Sequence, residues 1–184
     1  PLVVNYDKGL VNYICEIPIG VKKIFEMNLE EQGAPIWQAR EYGDLLEYKR
    51  ADSLFNHGAL PRTWLDPRVK YDVGRKKNYA GNNAPIDVIE IGRRLGRIGE
   101  VRQIKVLGSF MMIEEGEFAD WKVIAIDAAD DDAELLNGIE DVEGKWPGLL
   151  DYLRTWWRFY HKGANKDDRA KKNKFGFHEN FFGR

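Results

Sequence analysis

Over the first two-thirds of the chain the hydrophobic positions follow the period of strands. Residues 11–20, VNYICEIPIG, hold the β-branched and aromatic residues of a strand and stop at Pro18 and Gly20. VKKIFEM (21–27) predicts a second strand after that turn, and 28–57 predict a polar, irregular excursion with weak strand content around 45–49. DVIEIG (87–92) predicts a short buried strand closed by Gly92. From 99 to 117, Val101, Ile104, Val106 and Leu107 mark a longer strand, with a bend or bulge expected at Gly108. DWKVIAID (120–127) predicts another buried strand.

The period then changes. Between 147 and 162, Leu149, Leu150, Leu153, Trp156, Trp157 and Tyr160 recur at steps of three and four, and Pro147 suits a first helical turn. An amphipathic helix packed on the sheet is expected there, with a shorter helical piece within 130–138. Beyond 163 the chain is polar and basic, then ends in the aromatic FGFHENFFGR. Short curved strands around one bend, followed by a covering helix, predict a mainly β fold with α: a small closed barrel with peripheral helices. One domain, 1–177, is expected, followed by a tail at 178–184.

Composition narrows the classes. A chain of 184 residues, 43% hydrophobic and 32% charged, has enough apolar residues for one sizeable core. The net charge of −2 supplies no global attraction to nucleic acid or an anionic membrane, so either would need a local patch. The single cysteine, Cys15, excludes an internal disulfide framework. No window approaches 18 consecutive apolar residues, so no membrane span is expected. The chain opens at Pro1 with neither an initiator Met nor a signal-like segment, and an intracellular location is the expectation.

Candidate chemistry begins at AGNNAPIDVIEIG (80–92), a loop leading into a strand, where Asn82, Asn83, Ala84 and Asp87 cluster with a single carboxylate. Asn82 and Asn83 also suit a plain turn. Around this loop, PIDVIEIG, GEVRQIKVLG, EEGEFADWKVIAID and IEDVEGKWPGLL take up a specific order and spacing. Together with GALPRTWLDP (58–67), WRFY (157–160) and KFGF (174–177), they resemble soluble inorganic pyrophosphatases of the eukaryotic type. The resemblance implies a five-stranded OB-like closed barrel and hydrolysis of pyrophosphate with several Mg²⁺ ions in a carboxylate-lined cavity. Such ions need anionic oxygens, and an activated water needs metal charge beside it.

Carried over residue by residue, the resemblance matches cavity acids to Glu16, Glu26, Asp87, Glu114 and Asp120, a phosphate-side lysine to Lys122 and a tyrosine to Tyr160. Family acids are replaced at Asn82 and Ala84, an arginine at Leu46, two tyrosines at Ser53 and His57, and a lysine at His161. Glu114 replaces a shorter Asp, one residue further from Asp120 than the family pattern has it. Fewer negative charges would gather fewer divalent cations. The leading expectation is therefore a dismantled site, with Asp87, Asp120, Lys122, Tyr160, Glu16 and Glu26 as catalytic vestiges, Asp87, Glu114 and Asp120 as metal vestiges, and no cofactor. The chain would then serve as a structural subunit of a larger protein or ribonucleoprotein assembly, mitochondrial or cytoplasmic. Phe175, Phe177, Phe181 and Phe182 would anchor other subunits, because the family's long C-terminal helix has no counterpart after KFGF. The alternative is an active Mg²⁺-dependent diphosphatase with a rearranged site. A third reading has Arg93, Arg94 and Arg97, in the stretch running to Lys105, contact RNA.

Overall fold

The computed structural model describes residues 3–5, 7–41, 43–49, 51–114, 116–160 and 172–184. Five strands carry the architecture: β1 (Leu10–Ile17), β2 (Asn56–Ala59), β3 (Asp87–Glu90), β4 (Val101–Glu114) and β5 (Phe118–Asp127). β4 pairs antiparallel with β1, β1 with β2, and β2 with β3; β3 runs parallel to β5, and β5 returns antiparallel to β4. These pairings close a ring, so the expected mainly β barrel of five strands with peripheral helices is the fold.

β4 serves two walls of the ring. It pairs with β1 from Val101 to Lys105 and with β5 from Ile104 to Glu114, and its register shifts between Val106 and Gly108. The bend expected at Gly108 is this bulge. A Cβ at Gly108 would stand 2.4 Å from the Phe182 carbonyl oxygen, so only glycine lets the tail strand lie alongside.

β2 was concealed in the sequence. Asn56, His57, Gly58 and Ala59 carry no β-branched residue, yet all four are buried between β1 and β3. Gly58 explains why: a Cβ there would meet the Ile14 carbonyl oxygen at 2.0 Å. The strand forms because it fits a closed ring, against its own propensity. The stretch 21–27 contributes only Phe25–Met27, which pairs with Ile36–Gln38 in a hairpin outside the ring. Gly20, at φ 80°, turns the chain away from the barrel before it. A two-residue ladder of Arg40–Glu41 with Asp44–Leu45 stands just before the expected strand content at 45–49, where Lys23 and Glu47 form an isolated bridge.

Helix α1 (Ile139–Lys145) follows, rather than occupies, the stretch 130–138. In that stretch carboxylates compete for the backbone: Asp127 accepts from the Ala129 N–H and Asp130 from that of Asp132, which favours turns. Helix α2 (Leu149–Phe159) is the amphipathic helix, burying Leu153, Trp156 and Trp157. These meet Tyr48 and Phe55, with Trp156 4.7 Å from Tyr48 and 4.9 Å from Phe55 in edge-on contacts.

The aromatic tail packs on its own barrel. Phe175 is 1% exposed and pairs with Met112, Phe181 lies 5.4 Å from Phe110, Phe177 stacks on Trp121 at 6.0 Å, and Phe182 pairs with Ser109. These four rings, expected to anchor another subunit, cover apolar barrel surface of their own chain, Phe175 buried and the other three half-buried. The basic stretch is partly paired with acids. Arg93 pairs with Asp132, Arg94 with Asp127 at 2.7 Å, and Arg102 with Glu100 at 2.9 Å and Asp127 at 3.1 Å. Glu100 before β4, Asp127 at the end of β5 and Asp132 beyond it thus pair with three arginines of this face; Arg97 is exposed and donates its backbone N–H to Glu100.

Candidate functional site

A cavity of about 460 Å³ opens at one end of the barrel. Period-two alternation aims Asp120 and Lys122 from β5 to one face, and the parallel register sets Asp87 of β3 beside Lys122. Glu16 comes from the end of β1, Glu114 from the end of β4, Glu26 from the outer hairpin and Tyr160 from the end of α2. All seven side chains line the cavity. Five are carboxylates contributed by four strands and a hairpin, an arrangement that no sequence spacing displays.

Lys122 organises them. It is 2% exposed, its ammonium contacts Asp87 Oδ2, stands 2.5 Å from Asp120 Oδ2, and lies over the Trp157 ring at 4.4 Å. Burial opposes its charge, but Asp120 and then Asp87 outweigh that and push its pKa above the ordinary lysine value. Burial likewise opposes the charge on Asp87, yet Lys122 and then His57 hold its carboxyl well below the usual range. The other acids go the opposite way. Burial, followed by the charges of Asp87 and Glu26, pushes Glu16 up to about 8, although it accepts a 2.8 Å hydrogen bond from the Met27 N–H. Glu26 is raised by burial, then by Asp87 and Glu114. Asp120 is raised by burial, then by Asp87 and Glu114, in spite of its lysine. One ammonium leaves this group of carboxylates short of positive charge.

Oxygen donors with excess negative charge suit a hard divalent cation, so the residues present fit Mg²⁺. Among the described residues no three acids, histidines or cysteines form a ready-made metal cluster. Tyr160 donates to Glu114 Oε1 at 3.0 Å, fixing one carboxylate, and burial followed by Glu114 and Asp120 raises its hydroxyl pKa.

The replaced positions divide. Asn82, Asn83 and Ala84 line the cavity, but Asn82 Oδ1 accepts from the Ala84 N–H at 3.1 Å and Asn83 Oδ1 from Trp64 Nε1 at 2.9 Å. Asn83, at φ 65°, takes the left-handed conformation that asparagine tolerates. Ser53 is buried away from the cavity and donates to the Phe55 carbonyl, and Leu46 engages in backbone bonds with Ile24 and Ala39. His57 is instead part of the cavity wall, its Nε2 3.6 Å from Asp87 Oδ2. His161 lies outside the described residues. Tyr48 and Trp157 also line the cavity. Tyr48 carried no sequence signal, because a loop folding back beneath α2 delivers it, and Trp157 was legible only as a helix core position.

Comparison with known proteins places this geometry. A family model described as inorganic pyrophosphatase matches residues 13–180. Inorganic pyrophosphatase 1 of Caenorhabditis elegans is 42% identical over 188 residues, 98% of this chain and 42% of the relative. The mitochondrial inorganic pyrophosphatase of Saccharomyces cerevisiae is 35% identical over 189 residues, 98% of this chain and 58% of the relative. An N-terminally truncated Trypanosoma cruzi vacuolar soluble pyrophosphatase, solved in complex with PPi, superposes with a TM-score of 0.85 at 36% identity, covering 100% of this chain and 66% of that one. The chain thus spans about two- to three-fifths of the length of these curated relatives.

These likenesses overturn the expectation of a non-catalytic structural subunit. Relatives aligned over nearly the whole chain are named as pyrophosphatases, and five acids still surround the cavity. Asn82 and Ala84 bring no carboxylate, but Glu16, Glu26, Asp87, Glu114 and Asp120 still line the cavity with Lys122. The chain belongs to the inorganic pyrophosphatase family.

Proposed function

We propose that this chain is a Mg²⁺-dependent inorganic diphosphatase that adds water across the phosphoanhydride of pyrophosphate and releases two phosphates. The observation that carries the reading is the ring of Glu16, Glu26, Asp87, Glu114 and Asp120 around Lys122 in one cavity. The relatives' names support it, as does the PPi bound by the Trypanosoma cruzi neighbour. The yeast relative's name makes the mitochondrion a candidate location.

Bound Mg²⁺ supplies the positive charge that neutralises phosphate oxygens and acidifies a water. The five carboxylates supply the oxygens that hold it. Lys122 is the charged donor for a phosphate oxygen, since its two acid partners are also the candidate metal donors. Tyr160 holds Glu114 in place, and Trp157 and Tyr48 wall off one side of the cavity from water. The test is phosphate release from pyrophosphate in millimolar Mg²⁺, with Asp120→Ala as control. Turnover in the range of about 1–1,000 per second, abolished in the variant, is expected; absence of turnover in the parent chain refutes the proposal.

A further inference from the structure

His57 is 9% exposed and lines the cavity, yet neither of its ring nitrogens has a hydrogen-bond partner among the described residues. Buried polar atoms are nearly always satisfied, and one left open is costly. Packing alone does not account for it. The edge-on contact with Trp157, at 5.2 Å between ring centres, uses neither nitrogen. Among the described residues its acidic partner is Asp87, whose Oδ2 stands 3.6 Å from Nε2. That is too long for a hydrogen bond. It is close to the separation of about 3.0–3.5 Å between two ligands that each stand about 2.1 Å from one cation.

The imidazole is held where it is. β2 pairs on both sides at His57, with Ile17 and with Ile89. The adjacent Asn56 side chain donates to Glu90 and to the Arg94 carbonyl and accepts from the Ile19 and Gly96 N–H groups. Apart from the Met27 thioether and the Lys122 ammonium, the other candidate donors lining the cavity are oxygens, and the 82–84 loop brings no carboxylate. A nitrogen donor in such a set raises affinity for late first-row dications much more than for Mg²⁺.

We infer that His57 and Asp87 form a nitrogen–oxygen ligand pair that makes this cavity prefer a late first-row dication, such as Co²⁺, over Mg²⁺. The inference rests on the reading that the cavity receives divalent cations. Lys122 bridges Asp87 and Asp120, so it retains the Asp120 partner when Asp87 turns to a metal. The full chain, without substrate, is titrated with Co²⁺ by visible absorption and with Mg²⁺ by competition, alongside His57→Phe and His57→Gln. Hydrolysis of pyrophosphate is assayed on the same preparations. The parent should bind Co²⁺ at least tenfold tighter than Mg²⁺, and each variant should lose at least tenfold in Co²⁺ affinity while Mg²⁺ affinity moves less than threefold. If His57→Phe does not fold, His57→Gln carries the comparison. Equal affinities in the parent, or a variant within twofold of the parent for Co²⁺, overturn the inference. Hydrolysis without the preference defeats only this inference; the preference without hydrolysis defeats only the assigned reaction.

Discussion

Replacing Lys122 with methionine isolates the electrostatic centre of the molecule. Methionine keeps most of the length and the contact with Trp157 while deleting the charge shared by Asp120, which is buried, and Asp87, which is half-buried. Removing one partner of a buried ion pair costs about 3–5 kcal/mol, because the other partner stays buried and charged. A chain of this size loses about 2–4 °C of Tm per kcal/mol, so a fall of about 6–20 °C at pH 7 is expected. The sign with pH follows from Asp87, whose carboxyl Lys122 holds below its ordinary value. Such a group stabilises the fold above the unfolded carboxylate pKa and ceases to as pH falls through its depressed folded value. Without the lysine, Asp87 and Asp120 take up protons more readily, so the deficit should be largest near pH 7 and narrow toward pH 5. Millimolar Mg²⁺ should recover part of it. Thermal and urea unfolding at both pH values, with and without Mg²⁺, are the measurements. A Lys122→Met chain as stable as its parent at pH 7, or a deficit that widens on acidification, would refute the reasoning.

Other consequences are equally direct. Glu16, pushed up to about 8, is protonated when folded at pH values where the unfolded carboxyl ionises. It therefore stabilises fully below about pH 4.5, and that contribution is lost as pH rises toward 8, at up to about 1.4 kcal/mol per pH unit. Glu16→Gln should flatten this slope in metal-free unfolding curves; an unchanged slope assigns it elsewhere. Gly58→Ala drives a methyl group to 2.0 Å from the Ile14 carbonyl oxygen and should cost more than about 3 kcal/mol in urea unfolding. Phe175→Ala should cost about 3–5 kcal/mol, since that ring is part of the core; a loss under about 1 kcal/mol would restore it as a free anchor.

Much of the barrel was legible. β1, β3, β4 and β5 announced themselves through β-branched runs, and Gly108 announced the bulge, because each is a local pattern that burial of one face imposes. β2 was not, since NHGA is a strand only by virtue of the partners on either side of it. The expected helical piece at 130–138 gave way to side chains that bind backbone N–H groups and to ion pairs with Arg93 and Lys145, at a distance no window spans. In the site, the acids were named by position, whereas Tyr48 and the cavity-facing role of His57 required the closed ring.

The order of residues alone settles which side chains exist, how often apolar positions recur and which family motifs they compose, because these are properties of short windows. It counts charges. Only the closed fold decides what those charges experience: which carboxylates share a lysine, how far each is removed from water, and whether an arginine faces solvent or an aspartate. The energy of an ion depends on distance and on surrounding dielectric, and neither exists until strands far apart in sequence are brought together.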